Sequence, residues 1–98
     1  MKKNGKCVPM LVTTAHRGVF FGYGDGKPPT AGRVRLTEAR LCVYWSADVK
    51  GFMGLAVTGP TKSCRIGPPV PAVTLEAVTS VIETTKEAAR AWESQPWS

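Results

Sequence analysis

The chain has 98 residues, of which 43% are hydrophobic and 20% charged, and its formal net charge is +6. These values exclude a disordered composition and leave room for one hydrophobic core only. We therefore expect a single domain over 1–98, with a flexible basic N-terminus at 1–6 and a tail at 94–98. Because so small a domain buries little surface, we also expect a homo-oligomer.

The positive charge is confined to the first half of the chain. Residues 1–50 hold nine Lys or Arg against three Asp or Glu, whereas residues 51–98 hold four of each. This asymmetry favours an anionic partner, either a nucleotide, a nucleic acid or an acidic protein surface. A solvated surface that keeps the domain soluble is the alternative. With no apolar run near the roughly 18 residues of a membrane span and no convincing signal sequence, we expect a cytoplasmic protein.

The first half of the chain reads as β-structure. Apolar residues alternate in 8–12 and 18–23, which predicts two strands, and the Gly- and Pro-rich residues 24–29 predict an exposed loop between strands. Charged and apolar residues alternate in 33–36, and 40–45 is rich in β-branched and aromatic side chains. These two segments form either a pair of strands or one bent strand.

The second half adds short strands and one helix. Residues 51–60 are ambiguous between a strand and a helical turn, because a short apolar run does not reveal its period. Further strands are predicted at 63–66 and within 73–82. The fold class is therefore α+β and mainly β, either a small curled antiparallel sheet or an SH3-like or OB-like barrel, with one C-terminal helix.

A capping sequence predicts where the C-terminal helix begins. Thr84 followed by Glu87 matches a capping box, so we predict a helix over 85–93. Its apolar stripe ends at Trp92, and Pro96 stops it.

Catalytic and metal-binding patterns are missing from the sequence. His16 is the single histidine, which leaves no multi-histidine metal site and little basis for nucleophilic catalysis. Residues 22–27 resemble a phosphate loop, but Phe21 and Pro28 stand where a Walker A loop needs Gly and Ser or Thr. We expect no enzyme activity, no cofactor and no metal.

The three cysteines are Cys7, Cys42 and Cys64. An odd number at wide spacing fits neither a disulfide framework nor a zinc site, so free thiols are expected. Cys42 lies within an apolar run and is predicted to be a core residue, whereas Cys64 has Arg65 beside it.

A basic and aromatic group is the candidate site for an anionic or nucleotide ligand. Arginine binds phosphate through a planar fork and aromatic faces stack on bases. The group consists of His16, Arg17, Arg33, Arg35, Tyr44, Trp45 and Arg65. If Val34 and Leu36 face the core, Arg33 and Arg35 share the opposite face. In the alternative, Trp45 and Phe21 belong to the core and the arginines are merely solvated.

Three segments of the chain carry a resemblance to a known family. The strings HRGVFFG at 16–22, VYWS at 43–46 and GLAVTGP at 54–60 resemble a small uncharacterised domain family found in phage and prophage genomes. The similarity extends from about Val8 onward and includes 78–92. The resemblance implies a phage accessory protein that acts in the cytoplasm of the host bacterium and that binds and disables something there.

Three functions remain open at this point. The first is a counter-defence protein that sequesters a nucleotide-like immune signal as an oligomer. The second is a nucleic-acid-binding or protein-binding inhibitor of a host defence nuclease, of the anti-restriction or anti-CRISPR type. The third is a structural or virion-associated protein in which exposed Trp92 and Trp97 make subunit contacts. A modest net charge slightly favours a compact pocket over a long nucleic-acid groove.

Overall fold

The computed structural model describes residues 8–15, 18–25 and 32–96. Within these residues the chain forms six strands, two α-helices and a short 3₁₀ turn. They are β1 (Val8–Thr14), β2 (Val19–Gly24), β3 (Val34–Tyr44), the 3₁₀ turn (Ala47–Val49), α1 (Gly51–Val57), β4 (Arg65–Ile66), β5 (Val70–Leu75), β6 (Val78–Glu83) and α2 (Lys86–Ser94). The mainly β class with a C-terminal helix is confirmed, and α1 resolves the ambiguous segment as a helix. No helix in the described ranges has the length and apolarity to cross a bilayer.

The sheet is antiparallel and strongly curled. Strands β1, β2 and β3 form a meander, β5 pairs with the outer edge of β3, and β6 pairs with the outer edge of β1. In a flat sheet β5 and β6 would lie about 19 Å apart, at about 4.8 Å per strand. Only Glu76 and Ala77 connect them, and three residue steps reach at most about 11 Å. The sheet must therefore curl, although the described strands β5 and β6 do not pair with each other to close it.

The sequence allowed either a pair of strands or one bent strand in this region, and β3 is one bent strand. It runs without interruption from Val34 to Tyr44, and Glu38 has a left-handed φ of 50°. Before Glu38, the side chains of Val34 and Leu36 are buried on the concave face; after it, Cys42 is buried on the convex face under the helices. Because of the irregularity at Glu38, β3 contributes buried side chains to both cores.

The concave core lies against two glycines of β2. It consists of Met10, Val12, Val34, Leu36, Ala39 and Leu75. A Cβ on Gly22 would lie 2.8 Å from Leu36 Cβ, and one on Gly24 would lie 2.8 Å from Met10 Sδ. Gly22 has no space for a side chain, because the Leu36 Cβ cannot move away, whereas the flexible end of Met10 could shift beside Gly24. Gly22, one of the glycines that resemble a phosphate loop, is therefore needed for close packing inside the curl.

The convex core lies between the sheet and the two helices. The Trp92 ring stacks on Phe21 with ring centroids 5.2 Å apart, and its Nε1–H donates to the Leu55 carbonyl at 3.0 Å. Trp92 is 0% exposed. The expectation of an exposed Trp92 that makes subunit contacts is therefore wrong, because α2 turns its apolar stripe onto the sheet; Trp97 lies outside the described residues.

The start of α2 differs from the predicted capping box. Thr85 is the N-cap, and its Oγ1 accepts from Ala88 N–H at 3.0 Å. Thr84 instead continues the strand ladder, since its N–H donates to the Pro9 carbonyl at 3.1 Å. The capping box of Thr84 with Glu87 is wrong for this reason, and α2 begins at Lys86 rather than at residue 85.

Candidate ligand cleft

Arg33 and Arg35 lie at the beginning of β3. Both are exposed while Val34 and Leu36 are buried, as the alternation predicted. Arg33 Nε lies 3.8 Å from Glu76 Oε2, and both side chains are largely in solvent. An exposed pair of this kind contributes little to stability.

Tyr44 and Arg65 lie at the other end of β3. They are cross-strand partners, and both are exposed. Tyr44 follows Arg35 by nine residues along one strand, which corresponds to as much as about 30 Å. The structure therefore separates the arginines of the candidate site into two groups rather than one. His16 and Arg17 lie outside the described residues.

Trp45 lines a cleft at the end of the convex face, which we call the hydroxyl cleft. Its volume is about 610 Å³, and it is lined by Thr13, Thr14, Gly18, Val19, Trp45, Phe52, Thr79 and Ser80. These residues come from the ends of β1 and β2, the start of β6, the start of α1 and the residue after β3. The cleft is thus built where five elements meet.

Hydroxyl groups meet on one wall of the hydroxyl cleft. Thr13 Oγ1 lies 2.8 Å from Thr79 Oγ1 and also bonds the Ser80 hydroxyl. The β1–β6 register shifts between Thr13 and Thr14, so two consecutive β6 residues reach the same threonine, as at a β-bulge. Thr14 Oγ1 accepts from Gly18 N–H at 3.1 Å. Each hydroxyl donates and accepts, so this wall suits a ligand with both kinds of polar group.

Two aromatic side chains form the apolar part of the cleft. Trp45 and Phe52 are half-buried and pack against the convex core. None of the eight described lining residues carries a charge. The arrangement therefore suits a flat, polar but uncharged chemical group, held by stacking and neutral hydrogen bonds.

The sequence pointed to Trp45 but missed Phe52 and the hydroxyl wall. Thr13 and Thr79 are separated by 66 positions, and nothing local in either segment indicates that they meet. The only available signal was a pair of adjacent hydroxyl residues at each of two strand ends, at 13–14 and 79–80.

Arg40 is the most deeply buried charged residue of the described chain, with 4% of its surface exposed. Its Nε–H donates to the Gly67 carbonyl at 2.9 Å and its Nη1–H to the Trp92 carbonyl at 2.6 Å. Burial lowers its pKa. Because both acceptors are main-chain atoms of other elements, Arg40 ties β3 to the chain after β4 and to α2.

The Cys42 thiol and the Tyr23 phenol of the convex core are poorly suited to chemistry. Burial raises the pKa of Cys42 to about 12, with a further contribution from Cys64 nearby. Burial also raises the pKa of Tyr23, and its hydrogen bond to the Glu93 carboxylate adds to the effect. Both cysteines are buried and free, and Cys42 is a core residue as predicted. A thiol held protonated in this way is a weak nucleophile.

Near the cleft, the hydroxyl of Ser46 bonds the exposed carboxylate of Asp48 and lowers its pKa, with a second hydrogen bond from Thr61. This group of three fixes the turn that follows Trp45. In the described part of the chain, no three His, Cys, Asp or Glu residues are placed to hold a metal ion.

Fold and cleft together define a small, mainly β domain with a neutral, hydroxyl- and aromatic-lined cleft at one end of a curled sheet. The chain belongs to the family described as "Domain of unknown function (DUF6948)", whose model matches residues 7–92. The expectation of an uncharacterised family is confirmed at that level. No curated protein and no solved structure matches the chain.

Proposed function

We propose that this chain is a binding protein without enzymatic activity, and that its hydroxyl cleft takes the base or nucleoside part of a nucleotide-like ligand. The observation that carries the proposal is the convergence of Trp45 and Phe52 with the hydroxyls of Thr13, Thr79 and Ser80 around about 610 Å³. This volume lies within the range of small-molecule sites.

The chemistry of the walls fits a base better than a phosphate. A base stacked on an aromatic side chain contributes about 1–3 kcal/mol, and its edge offers the donors and acceptors that hydroxyls match. Phosphate groups would extend from the cleft toward solvent. In sequence, His16 and Arg17 directly precede Gly18, a lining residue, which supports a phosphate role for them rather than for Arg33 and Arg35.

The biological setting we propose is counter-defence, in which a phage-encoded protein holds a nucleotide-like immune signal without converting it. The support for this setting is the resemblance of the HRGVFFG, VYWS and GLAVTGP strings to phage and prophage proteins. A sequestering protein needs tight binding and no turnover, and neither a reactive nucleophile nor a metal cluster is needed for that.

The first test is the absorbance spectrum and native mass of the purified protein, with mass spectrometry of anything released on denaturation. It is followed by thermal shift and calorimetry with nucleosides, mononucleotides and dinucleotides. We expect Trp45→Ala and Thr79→Val to weaken binding at least tenfold. Tyr44→Ala is the matched control, because Tyr44 is the neighbouring aromatic residue and does not line the cleft.

Two results would contradict the proposal. One is that no compound of these classes shifts the melting temperature. The other is that Trp45→Ala binds as the wild type does, since the ligand would then lie elsewhere.

A second candidate function is inhibition of a protein, and a different surface favours it. An apolar groove of about 410 Å³ opens at the end of β3 and is lined in part by Leu41, Val43, Pro68 and Val70. Leu41, Val43 and Val70 are 40%, 54% and 41% exposed, and clustered exposure of this kind marks interaction sites. If a protein partner is captured from host lysate, Val43→Asp should abolish capture while Trp45→Ala leaves it intact.

A further inference from the structure

The two outer edges of the curled sheet differ in how they are protected. The β4–β5 edge carries Pro68, Pro69 and Pro71, which have no N–H to offer and which block the addition of a strand. The β6 edge, VTSVIE, contains no Pro, Lys or Arg and is rich in β-branched residues. Natural sheets usually protect such an edge. Only the start of β6 is engaged on this side, since Val78 N–H donates to the Gly32 carbonyl at 3.0 Å, and the rest of the edge is open to a partner strand.

The direction of each β6 backbone group follows from the register. Thr84 N–H donates to the Pro9 carbonyl at 3.1 Å, and Ile82 is paired with Leu11. In an antiparallel ladder, successive residues point alternately to one edge and to the other. Ile82 and Thr84 therefore point toward β1, and Val81 and Glu83 point outward. Among the described residues, no hydrogen bond engages these outward groups.

We propose that β6 pairs with β6 of a second copy of this chain, antiparallel about a two-fold axis at Val81. In this register, Val81 N–H of each copy donates to the Val81 carbonyl of the other. Thr79 then lies opposite Glu83 of the second copy in the ladder. Both residues are exposed in the single chain.

A second copy fits this edge better than an unrelated peptide for two reasons. The same strand supplies both halves of the pairing, so the outward N–H and carbonyl of Val81 find identical partners in the second copy. The prolines at the opposite edge then end the assembly at two chains, as a closed isologous contact requires. The inference does not depend on the proposed ligand, although Thr79 and Ser80 place the interface beside both hydroxyl clefts.

The test combines native mass with residue-resolved amide hydrogen exchange on the full chain without ligand. At roughly 100 μM protein we expect a dimer, with the amides of Val81 and Glu83 protected as strongly as that of Ile82. A monomer overturns the proposal, whether or not those amides are protected. A dimer in which the Val81 amide exchanges freely overturns it as well, because another surface then forms the contact.

Two substitutions remove the outward donors selectively. Val81→Pro and Glu83→Pro each delete an N–H that β1 does not use, and a proline is tolerated on an edge strand. We expect either variant to be a folded monomer. The control Ile82→Pro removes an N–H that faces β1 and should lower the melting temperature. If either edge variant folds and stays dimeric, the β6 pairing is refuted.

Discussion

Two tryptophans on the same convex face differ in how deeply they are buried. Trp92 is stacked on Phe21, fully buried, and its ring N–H has a carbonyl acceptor. Trp45 is only half-buried: it packs against the convex core and also lines the hydroxyl cleft. Trp92 lies on α2 and faces Phe21 of β2, whereas Trp45 lies in the turn after β3 and shares the cleft with Phe52 of α1.

An aromatic residue is available to a ligand where it lies in a turn at the border of the core rather than between a helix and the sheet. A tryptophan that is buried with its N–H satisfied contributes to folding, and one that is half-buried beside hydroxyls retains area for stacking. A substitution in the Trp92 region should mainly change stability, and one at Trp45 should mainly change ligand binding.

The largest effect is expected from Trp92→Ala. Loss of the stack on Phe21 and of the bond to Leu55 should lower the free energy of unfolding by about 3–5 kcal/mol. Urea denaturation followed by circular dichroism measures this loss. Trp92→Phe keeps a ring in place and should lose less than half as much; equal losses would mean that the stack contributes little.

Trp45→Ala should have a smaller effect on stability and a larger one on binding. Because only part of its ring is buried, we expect a loss of about 1–2 kcal/mol in the free energy of unfolding. Ligand binding in calorimetry should fall at least tenfold. A stability loss as large as that of Trp92→Ala would show that Trp45 is a core residue after all, which was the alternative interpretation of the sequence.

The helix that covers Trp92 can be weakened at its cap. Thr85→Ala removes the hydroxyl that accepts from Ala88 N–H and should cost about 1 kcal/mol. Thr84 is the matched control, because its buried Oγ1 has no partner among the described residues. Thr84→Val should leave stability unchanged or raise it by up to about 1 kcal/mol. If Thr84→Val cost more than Thr85→Ala, the cap assignment would be wrong.

The smallest effect on stability at neutral pH is expected from Cys42→Ala. Its pKa rises on folding from 9.0 to about 12, so the folded state holds a proton that the unfolded state releases. The resulting stability is fully present below pH 9 and is lost as the pH rises toward 12. Cys42→Ala should flatten the alkaline decline measured by thermal unfolding; a decline of the same steepness would exclude Cys42 as a contributor.

Local patterns in the sequence predicted most of the strands. Alternation placed Val34 and Leu36 inside and Arg33 and Arg35 outside, and Cys42 was correctly assigned to the core. These features depend on neighbours two residues apart, which a sequence displays directly. The helix start was missed by one residue because a distant partner, the Pro9 carbonyl, holds Thr84 in the strand.

The cleft was less predictable than the fold. Grouping the arginines with Tyr44 and Trp45 assumed that they share one site, and the length of β3 separates them. Thr13 and Thr79 meet through the β1–β6 pairing and its register shift, which no short-range pattern encodes. Only Trp45 was common to the predicted site and to the described cleft.

The pairing of β1 with β6 also determines when this domain is able to fold. Met10 pairs with Glu83, so β1 has no permanent neighbour on one side until the chain has been synthesised as far as β6. Structures dominated by such distant pairings have high contact order and fold in about milliseconds to seconds. On the ribosome, the domain must therefore wait for β6 to emerge, and shortening the chain before β6 would leave the outer edge of β1 unpaired and open to aggregation.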